Sequence, residues 1–94
     1  MIDRWIYKYR LEPGANHILV TNGAEFLSVA ADPVDTLPSI WMQVANIRAR
    51  SYRKFHIVIT GGEVDSLWTY LGTGISGEYV WHAYEDKLYV DETV

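Results

Sequence analysis

The sequence contains no cysteine. That absence excludes disulfides, thiolate metal sites and cysteine nucleophiles together, and it fits a reducing compartment. Long hydrophobic runs are missing too. No stretch approaches the ~20 apolar residues of a membrane span, and the opening Met-Ile-Asp-Arg-Trp carries no apolar segment of the signal-peptide kind. Positive charge is scarce: eight Lys and Arg stand against twelve Asp and Glu, a formal net charge of −4. A general nucleic-acid coat protein needs a broad basic surface, so the balance argues against that class. Helical periodicity is also lacking, and no segment holds an apolar stripe over three turns.

What is present is a chain of 94 residues, 49% hydrophobic and 21% charged, which is globular rather than disordered composition. This length is that of one domain, expected over residues 1–94 with a frayed tail from 91 to 94. Period-two alternation recurs along it. Trp5 to Leu11 sets Trp5, Tyr7 and Tyr9 against Ile6, Lys8 and Arg10. His17 to Thr21 and Glu25 to Ala31 read as short strands joined through Asn22-Gly23, a tight-turn signal, so that the first three segments suggest an antiparallel meander. Two prolines make residues 32–38 a loop. Strands follow at Ser39 to Ala45, Tyr52 to Thr60, Trp68 to Thr73 and Glu78 to Glu85, with a further short one expected at Leu88 to Val90. The spacing predicts an all-β fold: a small antiparallel sandwich or partly open barrel of about six to eight short strands.

The order of several small features resembles a known family. Trp5-Ile6-Tyr7-Lys8-Tyr9 opens the chain, followed by Asn22-Gly23-Ala24, Phe26-Leu27-Ser28-Val29 and Ile40-Trp41. Phe55-His56-Ile57, Thr60-Gly61-Gly62, Tyr70-Leu71-Gly72-Thr73 and Val80-Trp81-His82-Ala83-Tyr84-Glu85 come later. Together they resemble a family of small phage and prophage proteins that carry a domain of unknown function, over roughly residues 5 to 85. A Gly-Thr-Gly is more usual in that family where Thr60-Gly61-Gly62 stands here. The resemblance implies an all-β protein of similar length, a phage-encoded accessory working in the cytoplasm of a bacterial host, and no catalytic residue to transfer.

Catalytic and metal-binding motifs are not found. His17, His56 and His82 have no close ligand spacing, no serine sits in a nucleophile elbow, and the paired acids Glu85-Asp86 and Asp91-Glu92 fall where solvent-facing residues are expected. The glycine-rich segments at 60–62 and 71–77 are neither a phosphate-binding loop nor a dinucleotide fingerprint. They read as turn and bulge glycines, or as backbone amides and a Thr73 hydroxyl cradling an anion. Two features suggest binding. Arg48, Arg50, Arg53 and Lys54 place four positive charges in seven residues, leaving four positive against twelve negative elsewhere. They either solubilise a strand edge or form a local anion site, for which Arg is the better phosphate ligand. Aromatics are abundant, with four Trp and seven Tyr, more than a small core buries well.

The sequence therefore predicts a binding protein without catalysis, metal or cofactor. Arg48, Arg50, Arg53 and Lys54 would hold the anion, with Thr73 beside them, and Trp68, Tyr70 and Trp81 would stack on a planar base. In the phage setting this becomes counter-defence, by sequestering a small nucleotide-type immune signal without cleaving it, on a homo-oligomer. The alternatives are a nucleic-acid-mimicking inhibitor of a host defence enzyme and a minor virion or assembly component. No membrane association and no general nucleic-acid binding are expected.

Overall fold

A computed structural model describes residues 2–45 and 49–91. The chain forms seven strands: β1 (Trp5–Arg10), β2 (Gly14–Thr21), β3 (Glu25–Ala31), β4 (Pro38–Val44), β5 (Arg50–Ile59), β6 (Thr69–Ser76) and β7 (Tyr79–Asp86). They build two antiparallel sheets, one of order β1-β4-β3 and one of order β2-β5-β7-β6. The fold is all-β, a small sandwich and not a closed barrel. Among the described residues no helix is long and apolar enough to cross a membrane.

Alternation decides what each sheet buries. Ile40, Met42 and Val44 of β4 point inward with Val29 and Ala31 of β3, against Phe55 and Ile57 of β5 and Trp81 and Ala83 of β7. Val20 and Leu11 complete the core. Each large side chain buried this fully contributes about 1.5–3 kcal/mol.

The first three strands do not form a meander. β1 pairs with β4 and β2 pairs with β5, so the chain changes sheets at each of the first two turns. Asn22-Gly23 does turn tightly, with the Ala24 amide donating to the Thr21 carbonyl at 3.1 Å, and Gly23 supplies the positive φ of 80°. The turn leads from one sheet to the other because Val20, Ala24 and Val29 must all reach one core. Leu88 to Val90 is turn and coil, not a strand. Of the tail expected to fray, the Asp91 carboxylate accepts from the Tyr52 amide at 2.7 Å; residues 92–94 lie outside the described residues. Asp91 thereby serves a part of β5 that extends beyond the pairing with β7, which ends at Lys54↔Asp86.

The sandwich is closed on one side by β3 and β6. A Cβ on Gly74 would stand 2.6 Å from Ala30 Cα and 2.9 Å from Ala30 N, so only glycine permits this approach of two backbones. On the other side, among the described residues, Tyr7 and Tyr9 of β1 and Leu19 and Thr21 of β2 border an opening of about 210 Å³.

Candidate functional site

The outer face of the four-stranded sheet gathers aromatic rings and hydrogen-bonding side chains, of which Tyr70 is exposed and Trp68, His82 and Tyr84 are half-buried. Register builds it in rows. Ala15 of β2 lies beside His56 of β5, His56 beside Tyr84 of β7, and Tyr84 beside Tyr70 of β6. The row on one side is His17, Lys54 and Asp86, and the row on the other is Val58, His82 and Thr73. A β-bulge between Tyr70 and Gly72 changes the parity of β6, turning Leu71 toward the core and leaving both Tyr70 and Thr73 on the outer face.

Trp68 reaches this face from the β5–β6 loop. Asp65 shapes the last turn of that loop, its carboxylate accepting from the Leu67 amide at 2.8 Å and its carbonyl from the Trp68 amide at 3.1 Å. The indole then stacks on the His56 ring, with centroids 3.7 Å apart and planes 13° from parallel. Tyr84 tilts against Trp68 at 6.3 Å and meets Tyr70 edge-on at 5.4 Å. Offset and edge-to-face ring pairs of this kind are each worth about 0.5–1.5 kcal/mol beyond burial, so the rings hold one another in place before any ligand arrives.

A hydroxyl and imidazole chain runs beside the rings. Tyr70 and Thr73 hydroxyls share a hydrogen bond of 2.5 Å, Thr73 Oγ1 lies 2.9 Å from His82 Nδ1, and Thr60 Oγ1 lies 2.9 Å from His82 Nε2. Each ring nitrogen of His82 thus has a threonine hydroxyl as its partner, and a hydroxyl can donate or accept. His56 lies 92% out of solvent beneath Trp68, and its Nε2 has no hydrogen-bond partner among the described residues. Burial lowers its pKa from the usual 6.5, the Lys54 ammonium lowers it further, and Asp86 and Asp65 oppose the shift. The ring under Trp68 is therefore neutral at pH 7. Lys54 makes no ion pair among the described residues, and its cross-strand neighbours on this face are His17 and Asp86, so its ammonium shares its row with a carboxylate.

Of the residues singled out from sequence, the structure brings together Lys54, Trp68, Tyr70 and Thr73. Arg48 lies outside the described residues. Arg50 stands apart, at the open mouth of the sandwich with Tyr7, Tyr9, Leu19 and Thr21. Two expectations are corrected. Trp81 faces the core, 7% exposed, with its indole N–H donating to the Thr36 carbonyl at 2.7 Å, so it offers no face to a ligand. Arg53 is on the inward face of β5, where Nε and Nη2 donate to the two oxygens of buried Glu85 at 2.7 Å each and Nη1 donates to the Ala24 carbonyl at 2.6 Å. Its charge is neutralised within the fold. A cleft of about 460 Å³ opens beside it, lined by the paired Arg53 and Glu85 and by Asp86 and Lys87, so its charges balance. Lys8 and Arg10 are likewise engaged, by Asp32 and Asp35 of the β3–β4 loop. His56, His82 and Tyr84 were not singled out for binding; each alternates with inward residues on a strong strand, but only the β5–β7 pairing reveals that they are neighbours.

Among the described residues no group of three or more His, Asp or Glu side chains is placed to hold a metal ion. No curated protein and no solved structure matches the chain. One family does match, over residues 2–93, and the chain belongs to it: the domain of unknown function DUF7352.

Proposed function

We propose that this protein is a non-catalytic binding module whose four-stranded sheet takes a planar, anionic, nucleotide-type ligand on its outer face. The observation that supports this most is the placement of Trp68, Tyr70 and Tyr84 with the Thr73–His82 chain on one sheet face, whose adjoining row carries Lys54. Exposed aromatic rings on a sheet stack on bases with about 1–3 kcal/mol per ring. Tyr70 is 55% exposed and is the ring most available for this. The Lys54 ammonium supplies the phosphate or carboxylate contact, and the Tyr70 and Thr73 hydroxyls supply polar contacts to the ring edge. The phage setting implied by the sequence resemblance makes sequestration of a nucleotide immune signal the corresponding physiological role.

The test is a thermal-shift panel of mononucleotides, linear dinucleotides and cyclic dinucleotides. Binding to the native state raises the apparent Tm by mass action. At least one member is expected to shift it, to be recovered chemically unaltered, and to lose its shift with Tyr70→Ala and with Lys54→Ala. A flat panel on folded protein would refute the reading, as would a shift that Tyr70→Ala leaves intact. Capture of a basic host protein by the acidic surface in its place would move the role to that of an inhibitor.

A further inference from the structure

The open side of the sandwich carries an edge strand whose chemistry is incomplete in a single copy. β1 pairs with β4 and is the outermost strand of its sheet. Its inward-facing residues Trp5, Tyr7 and Tyr9 lie opposite the buried Val44, Met42 and Ile40, yet Trp5 is 41% and Tyr7 39% exposed. Ile6 on the other face is 62% exposed, and Leu19 of β2, which borders the same opening, is 43% exposed. Natural edges are guarded by charge, proline or a bulge. Here the two cations of β1 are drawn onto their own sheet: Lys8 toward Asp32 and the Trp41 ring, and Arg10 to Asp35.

We propose that a second copy of this chain pairs antiparallel along β1, joining the two three-stranded sheets into one of six strands. Such a pair has its two-fold axis perpendicular to the sheet, so residues of like parity face one another. Charge selects the register. Centring on Lys8 would oppose Lys8 to itself, and centring on Ile6 would oppose Lys8 to Arg4. Centring on Tyr7 places Trp5 against Tyr9 of the other copy and Ile6 against Lys8 of the other copy. That register gathers six aromatic rings over the seam. It leaves Arg4 facing Arg10, but Arg10 is already neutralised by Asp35.

The area agrees with a reversible dimer. The exposed parts of Trp5, Ile6 and Tyr7 amount to roughly 300 Å² per copy, on the scale of 150–250 Å² for a whole aromatic side chain. Two copies bury about 600 Å² of side chain besides the backbone edge, which falls in the weak class below the ~1,200 Å² of a stable interface. Dimerisation is therefore concentration-dependent, and it uses a surface separate from the outer face of the four-stranded sheet.

Sedimentation velocity from about 1 to about 200 μM tests this. The unmodified chain is expected to pass from monomer to dimer across that range. Ile6→Lys opposes two like charges at both ends of the seam and should weaken association about tenfold or more, without loss of Tm, because Ile6 is exposed. Ile6→Lys combined with Lys8→Glu restores opposite charges and should restore the dimer. A monomer at 200 μM would overturn the proposal. So would a dimer indifferent to Ile6→Lys, or one that the double variant fails to rescue.

Discussion

Arg53 is the residue for which the structure most changes the expected consequence of mutation. Its side chain is 24% exposed and that of its partner Glu85 only 6%, and the two share a bidentate contact of 2.7 Å on each oxygen. Arg53→Met removes the cation and leaves the carboxylate buried beside Phe55 without its partner. Breaking a fully buried pair costs about 3–5 kcal/mol. Partial solvent access at Arg53 and the lost donor to Ala24 pull in opposite directions, which gives about 3 kcal/mol here. For a domain of this size that lowers Tm by roughly 12–24 °C. Arg53→Met/Glu85→Met removes both charges and fills similar volume, so it should recover half of the loss or more. Thermal unfolding followed by circular dichroism reads all three. Arg53→Met within about 2 °C of the unmodified Tm would refute the assignment of Arg53 to the fold, as would a double variant no more stable than the single one.

Other expectations follow from local geometry. Gly74→Ala should cost about 3 kcal/mol or more, because its Cβ would meet the Ala30 backbone at 2.6 Å, whereas Gly72→Ala meets the Val29 methyl at 3.4 Å and should be nearly neutral; chemical unfolding of the pair shows whether β3 and β6 close the sandwich as described. Trp81→Ala should lose about 3–5 kcal/mol by thermal unfolding and leave ligand affinity per folded molecule unchanged. His56 has a folded-state pKa below its unfolded 6.5, so the unfolded chain binds more protons as pH falls through that value. Its contribution to stability is full above pH 6.5 and declines as the pH falls toward the folded-state pKa. His56→Gln should flatten that part of the stability–pH curve, and an unchanged slope would contradict its burial under Trp68.

The fold class was legible because the sequence repeats one signal, alternation bounded by Gly, Pro and Asn. The strand order was not, since alternation states which residues share a face and says nothing of which strand lies beside which. Asn22-Gly23 illustrates the limit: its turn chemistry is local and correct, but whether the chain returns to the same sheet depends on where Val20 and Val29 find their core. The site was half legible for the same reason. Lys54, His56 and Val58 share a face by parity, as do Val80, His82 and Tyr84, but only the register brings the two sets together. Trp81 misled because parity groups it with Tyr79, apart from His82 and Tyr84, without saying which set faces the core. Arg53 misled because a run of cations hides the alternation within it: Lys54 points out and Arg53 points in.

The most direct test of the central claim is amide chemical-shift mapping by ¹H–¹⁵N NMR during titration with the nucleotide that gives the largest thermal shift. The account predicts perturbations concentrated on Lys54, His56, Trp68, Tyr70, Thr73, His82 and Tyr84, three strands and one loop that meet only on the outer face of the four-stranded sheet. Perturbations centred on Asn22, Ser51 and Lys87 around the Arg53 cleft, or along β1, would contradict it.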